Sequence, residues 1–130
     1  MVVFAIMIVS CGGGVDNSDP KAVAEAALVG WQSGTSKGMS QVRDLVNPED
    51  TETLQELDKV IEGIKAMEAN GTNKQATTHS FTFVKIKDAH GDEMSEETTT
   101  AKVEFKNEEG SSYRVRVKKE NGVWYFDKFN

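Results

Sequence analysis

The clearest pattern in the chain is the alternation of apolar and polar residues over its last third. Segments 98–106 and 112–119 each place an apolar residue at every second position. Successive side chains of a strand point to opposite faces, so each segment predicts a strand with one buried and one exposed face. A third segment, 123–129, completes an antiparallel meander. The predicted buried face carries Phe105, Tyr113, Val115, Val117, Trp124, Phe126 and, at its end, Lys128.

Two turns set the register of these strands. Asn121-Gly122 suits a two-residue type I′ hairpin, and Gly110 suits the left-handed position of a three-residue turn. Both turns keep the apolar residues on one face, whereas a slip by one residue would set valines opposite arginines. The predicted neighbours across the sheet are Val103–Val115, Glu104–Arg114–Phe129, Phe105–Tyr113, Lys102–Arg116–Asp127, Val117–Phe126 and Lys118–Tyr125.

A fourth strand is predicted in the segment HSFTFVKIK, residues 79–87. Its apolar residues change face, because Phe81 and Phe83 lie on one side and Val84 and Ile86 on the other. Either a β-bulge near Phe83-Val84 or a strand that is covered on both sides would explain this change.

The middle of the chain has helical periodicity instead. Asp19-Pro20 is a start signal for a short helix over KAVAEAALVGW, and QSGTSKG is typical of a loop. A second short segment follows, and Asn47-Pro48 then predicts the start of the longest helix, which ends at Asn70-Gly71. We expect its apolar stripe to lie on the buried face of the sheet. That stripe consists of Leu54, Leu57, Ile61, Ile64 and Met67.

These elements predict an α+β domain, with amino-terminal helices packed on one face of a curved four-stranded antiparallel sheet. The 130 residues, 38% of them apolar, suffice for one core, which we place at residues 19–130. The net charge of −6 argues against a general nucleic-acid binder, because contact with phosphates requires a basic surface.

The amino end differs from the rest of the chain. MVVFAIMIVSC contains an apolar run that is too short to span a bilayer but has the length of a signal-peptide core. Ile8-Val9-Ser10-Cys11 resembles a bacterial lipobox, which implies a signal peptide at 1–10, lipidation of Cys11 and a flexible Gly-rich tether at 11–18. The alternative is a buried amino-terminal strand with a structural cysteine. Cys11 is the only cysteine, so an intrachain disulfide is excluded.

Together with this amino end, the opening DPKAVAEAAL and the closing YRVRVKKENGVWYFDKF resemble the small NTF2-like (cystatin-like) bacterial lipoproteins of the DUF4878 kind. The resemblance covers roughly residues 19–129. It implies a lipid-anchored protein of the bacterial cell envelope, in the outer membrane, at the cell surface or on the periplasmic side. It implies no reaction, because that family has no established activity to carry over.

Candidate catalytic groups are few. Some NTF2-like enzymes use a pocket between sheet and helix for acid–base chemistry, and Tyr113 and His79 are the groups that could serve it here. The alternatives are a tyrosine at the core edge and a surface histidine at a strand end. His90 lies in an acidic loop that lacks the ligand spacing of a calcium site. No cofactor or metal site is predicted.

The polar face of the sheet is the other candidate. Arg114, Arg116, Tyr125 and Phe129 are predicted on it, and arginine and aromatic residues are enriched in interfaces. A homodimer or a protein partner could dock there, or the face could be solvated and paired with itself. We therefore expect a non-enzymatic binding or assembly module, with a small ligand in the pocket as one variant. The alternative is a small pocket enzyme on the same fold.

Overall fold

The computed structural model of the protein describes residues 15–71 and 80–129. Within these residues, a four-stranded antiparallel open sheet in the order β1-β2-β3-β4 carries three helices, which confirms the predicted α+β class. The helices are α1 (Pro20–Gln32), α2 (Ser36–Arg43) and α3 (Thr51–Ala69), and the strands are β1 (Phe81–Asp88), β2 (Thr100–Asn107), β3 (Ser112–Glu120) and β4 (Val123–Phe129).

Capping side chains decide where the helices begin. The Asp19 carboxylate accepts a hydrogen bond from the Lys21 amide at the start of α1, as predicted. Thr35 caps α2, so residues 36–38, predicted as loop, form the first turn of a helix. The predicted start of α3 at Asn47 is wrong by three residues, because Asp50 is the cap and Asn47 instead accepts the Glu49 amide in a preceding turn.

The helices pack one on another, starting from the sheet. Helix α1 lies on β2, β3 and β4, α2 packs on α1, and α3 packs on α2. Helix α3 reaches the common core with Leu57 and Ile61 and packs mainly on α2, because α1 occupies the sheet surface. Met67, at the far end of the α3 stripe, stays 42% exposed. The end of α3 follows the prediction, with Asn70 as cap and Gly71 at φ 68°.

One apolar core joins both layers. The largest fully buried side chains at its centre are Val23, Leu28, Val42, Val103, Phe105, Val115 and Val117. The alternation predicted for β2 and β3 is the source of this arrangement, because every second residue of each strand enters the core.

The β2–β3 register agrees fully with the prediction, including Glu104 opposite Arg114 and Phe105 opposite Tyr113. In β1 the pairing shifts between Phe83 and Lys85, which confirms the bulge and leaves Val84 40% exposed.

The β3–β4 register agrees only in its first half. Val117 pairs with Phe126 and Lys118 with Tyr125, but Arg116 lies opposite Lys128, not opposite the predicted Asp127. Asp127 is the extra residue of a second bulge, and the side chains after it exchange faces. Lys128 is therefore exposed on the outer side, where the sequence had predicted the buried face.

Candidate functional site on the outer sheet face

The sheet face that points away from the helices is called here the outer face. Strands β2 and β3 place their charged residues on it, since their apolar residues fill the core. Of the predicted partner-binding residues, Arg114, Arg116 and Tyr125 lie on this face. The structure keeps them close, because Arg114 and Arg116 are alternate residues of β3 and Tyr125 pairs with Lys118 of the same strand.

Phe129 does not belong to this face, contrary to the prediction that set it beside Arg114. The β4 bulge pairs Phe129 with Val115 and turns its ring toward the helices. There its ring centroid lies 4.3 Å from that of Trp31 and 4.7 Å from that of Phe126. Phe129 therefore closes the end of the core, and the outer face has no aromatic residue at this corner.

Among the residues that the structure describes, three ion pairs cross the outer face. Arg114 Nε lies 3.5 Å from Glu104 Oε1, and Arg116 Nε lies 3.0 Å from Asp127 Oδ2. The Lys118 ammonium lies 3.6 Å from the other oxygen of Asp127. The buried Arg116 Nε–H has no hydrogen-bond partner of suitable geometry in the described chain, so Arg116 and Asp127 interact as an ion pair. The predicted Arg116–Asp127 contact thus exists, although the residues do not pair in the register.

A row of four basic residues runs across all four strands. Lys87 lies opposite Lys102, Lys102 opposite Arg116, and Arg116 opposite Lys128. We call these four residues the cationic row. Alternation and turn chemistry predict only the Lys102–Arg116 pair of this row, because the β4 bulge places Lys128 in it and the β1 bulge places Lys87 in it. A break of alternation at FDKF, with two polar residues between apolar ones, was the available signal.

Part of the row lines a shallow groove of about 320 Å³. Its basic side chains are those of Lys85, Lys87, Lys102 and Arg114, and Glu104 lies at its floor with only 15% of its side chain exposed. The β1–β2 turn forms one end of the groove and brings His90 to it. The Lys87 ammonium donates to Glu93 at 2.7 Å, while Lys85 and Lys102 make no ion pair with any residue that the structure describes.

The outer face is basic on a protein that is acidic as a whole. It holds eight of the fifteen basic residues but only three of the twenty-one acidic residues of the chain, which has a net charge of −6. Further carboxylates stand at its rim, from Glu93 at one side and from Glu49 and Asp50 at the other. The basic residues of the face are Lys85, Lys87, Lys102, Lys106, Arg114, Arg116, Lys118 and Lys128.

The turn at the end of the groove is fixed by one carboxylate. Asp88 Oδ1 accepts the amides of His90 and Asp92, both at 2.8 Å, and Gly91 between them has φ 88°. The backbone amide of Asp92 is the largest cause that lowers the pKa of Asp88. This loop is held by its own hydrogen bonds, and residues 15–71 and 80–129 contain no group of acidic, His or Cys side chains arranged to hold a metal ion.

Of the two candidate catalytic residues, Tyr113 lies in the described part of the chain. The Tyr113 hydroxyl lies 3.5 Å from Nδ2 of the Asn107 side chain. The Tyr113 and Phe81 rings meet edge to face, with their centroids 5.6 Å apart. The Asn107 side chain is already engaged, because its Oδ1 accepts the backbone amides of Glu109 and Ser111. Tyr113 therefore lies at the core edge next to a turn. His79, the other candidate, lies outside the described residues.

Cys11, the predicted signal peptide and the first residues of the tether also lie outside the described residues. The described chain begins beside the sheet: the Trp124 amide of β4 donates to the Asn17 carbonyl at 2.8 Å. None of the helices in the described ranges has the length and apolar character that crossing a membrane would require. Comparison of the chain with protein-family models, curated proteins and solved structures found no match.

Proposed function

We propose that this protein is a lipid-anchored, non-enzymatic binding module of the bacterial cell envelope, built on an NTF2-like fold. The outer face of the sheet is its docking surface, with Arg114, Arg116 and Tyr125 at its centre. The concentration of basic side chains on this one face of an acidic protein is the observation that carries the proposal. A charged field of one sign guides association with an oppositely charged partner.

The exposure of the face supports docking. Arg114 keeps 62% of its side chain exposed despite its ion pair with Glu104. An exposed pair of this kind contributes only about 0–1 kcal/mol to stability, so folding alone gains little from this arginine. A planar guanidinium on an open surface is well suited to bind carboxylate or phosphate groups.

A binding module is favoured over the pocket enzyme by the surroundings of Tyr113. Acid–base catalysis requires at least two convergent polar groups in a concave site. The side chain that faces the Tyr113 hydroxyl is an amide that already serves the 107–111 turn. An amide neither gives nor takes a proton near neutral pH, so this pair cannot serve as acid and base.

The anchor is supported by the lipobox-like Ile8-Val9-Ser10-Cys11 and by the place where the domain begins. Five residues lie between Cys11 and Asn17, whose carbonyl accepts the Trp124 amide of β4, and the six Cα–Cα steps between them reach at most about 22 Å when extended. A domain held this closely would keep its sheet near the membrane surface.

Both parts of the proposal can be tested in cells that express the full chain. With an alkyne-tagged fatty acid, we expect the wild type to be labelled and Cys11→Ser to lose the label. A photo-crosslinking residue in place of Tyr125 should give adducts, whereas the same residue in place of Glu56, on the exposed side of α3, should not. Equal labelling of wild type and Cys11→Ser would refute the anchor, and equal crosslinking at both positions would refute the docking surface.

A further inference from the structure

The cationic row is unfavourable for folding. Side chains that lie directly opposite each other on one sheet face have Cβ atoms about 5 Å apart, and like charges at that distance destabilise the sheet. Lys87, Lys102, Arg116 and Lys128 repeat this arrangement three times in succession. The row spans roughly 14 Å, at about 4.8 Å per strand.

Within the described residues, half of the row has an acidic partner. Arg116 forms an ion pair with Asp127, and Lys87 forms one with Glu93, whose side chain is 86% exposed. Lys102 and Lys128 have no ion pair within residues 15–71 and 80–129, and Lys85 and Arg114 add charge beside Lys102 in the groove. A partner that carries several negative charges would relieve the repulsion that the fold leaves in place.

We propose that the cationic row binds the phosphates of anionic phospholipid headgroups, so that the domain lies with its outer face on the membrane. This inference rests on the proposed function and names the partner of its docking surface. A row of exposed charges on an open sheet face fits a flat array of phosphates, and each Lys or Arg near an anionic membrane surface contributes about 1 kcal/mol.

The distribution of charge would orient the domain. The exposed side of α3 carries Glu52, Glu56 and Glu62, on the helical side of the molecule. An anionic surface would repel that side and attract the outer face, and screening over about 8 Å at physiological salt keeps the two effects largely separate. The short link to Cys11 would place the phosphates at high effective concentration.

Vesicle binding by the full chain carrying Cys11→Ser tests the inference without lipidation. Vesicles of phosphatidylcholine alone measure any uptake of the apolar amino-terminal run, and vesicles that also contain phosphatidylglycerol add the anionic surface. We expect preference for the anionic vesicles, and its loss at high salt. The double variant Lys102→Gln/Lys128→Gln should reduce binding to these vesicles about thirtyfold, since two lost contacts of about 1 kcal/mol multiply.

The matched control is Lys59→Gln/Lys65→Gln on α3, which removes the same charge from the helical side and should leave the preference intact. Thermal unfolding should show that the row variant is at least as stable as the wild type, since it relieves repulsion.

Equal binding of the protein to both kinds of vesicle, or an equal loss of binding in the row variant and the control variant, would overturn the inference. So would calorimetric binding of glycerol phosphate without any preference for anionic vesicles, which would assign the row to a soluble phosphate. Crosslinking from position 125 in cells, if it persisted in any of these cases, would leave the proposed docking surface standing with another partner.

Discussion

Gly38 has the tightest surroundings of the glycines compared in the described chain. A Cβ atom placed on it would lie 1.9 Å from Ser33 Oγ and 2.4 Å from the Gly30 carbonyl oxygen. A Cβ atom on Gly30 would in turn lie 2.6 Å from the Gly38 carbonyl oxygen. Helices α1 and α2 therefore cross backbone to backbone at these two glycines, and this close crossing positions the helical layer on the sheet.

Substitution of Gly38 should for this reason weaken the whole domain. We expect Gly38→Ala to reduce the free energy of unfolding by about 3 kcal/mol, at the upper end of overpacking effects, and to lower Tm by roughly 10 °C. Chemical unfolding would measure the change in free energy, and thermal unfolding would measure the change in Tm. Gly63→Ala is the control, because no atom lies within 4 Å of its Cβ position on α3, and it should stabilise by about 0.5–1 kcal/mol. A neutral Gly38→Ala would contradict the close crossing.

The sheet face on which Phe129 lies could not be predicted from the strand pattern. Strict alternation from Trp124 onward places Phe129 outside, and the Asn121-Gly122 turn supports that register. The bulge at Asp127 is favoured by burial of a phenylalanine against Trp31 and by two cations for the bulged carboxylate. Both partners are brought there by tertiary structure, so the strand pattern alone could not choose between the two registers.

The junction of α2 and α3 depends on one carboxylate between elements. Glu68, near the end of α3, accepts the Ser36 hydroxyl at 2.6 Å and the Ser36 amide at 3.1 Å. Ser36 is the first residue of α2, where amides lack partners within the helix and favour negative charge. The Ser36 hydroxyl is the largest cause that lowers the pKa of Glu68 below its ordinary 4.5.

A lowered carboxylate pKa gives stability that is present above the unfolded value and is lost as the pH falls through the folded value. We therefore expect Glu68→Gln to unfold at a lower temperature than the wild type at pH 7, and the two Tm values to converge in acid, below about pH 4. Glu62→Gln, an exposed change on the same helix, is the control and should track the wild type throughout. A Tm difference that is the same at both ends of the pH range would contradict this role of Glu68.

Local signals predicted the elements better than their contacts. Asp19-Pro20, the glycine turns and the bulge at Phe83-Val84 are all encoded within a few residues, and the structure has them. The start of α3 was misplaced because Asn47-Pro48-Glu49-Asp50 contains two cap residues, of which Asp50 reaches the free amide of Thr53. The order in which helices stack is not local. An apolar stripe predicts burial, but not whether a sheet or a helix buries it.

For the molecule as a whole, the separation of charge is the feature with the clearest functional meaning. A net charge of −6 suggests an acidic protein, yet the register gathers basic residues on one face of the sheet. The β2–β3 alternation and the Asn121-Gly122 turn predict Arg114, Arg116 and Tyr125 on that face. They do not predict most of the cationic row, because two bulges that shift β1 and β4 by one residue complete it.

The most direct measurement is the reactivity of the outer face in native membranes. Arg114→Cys and Glu56→Cys each place a thiol at an exposed position, on the outer face and on α3 respectively, in a chain whose own Cys11 is predicted to be lipidated. The rate of maleimide labelling is compared in intact membranes and after extraction into detergent at high salt. If the outer face is the docking surface, labelling at position 114 should be several-fold slower in membranes, and labelling at position 56 should be unchanged. Equal rates at position 114 under both conditions would contradict it.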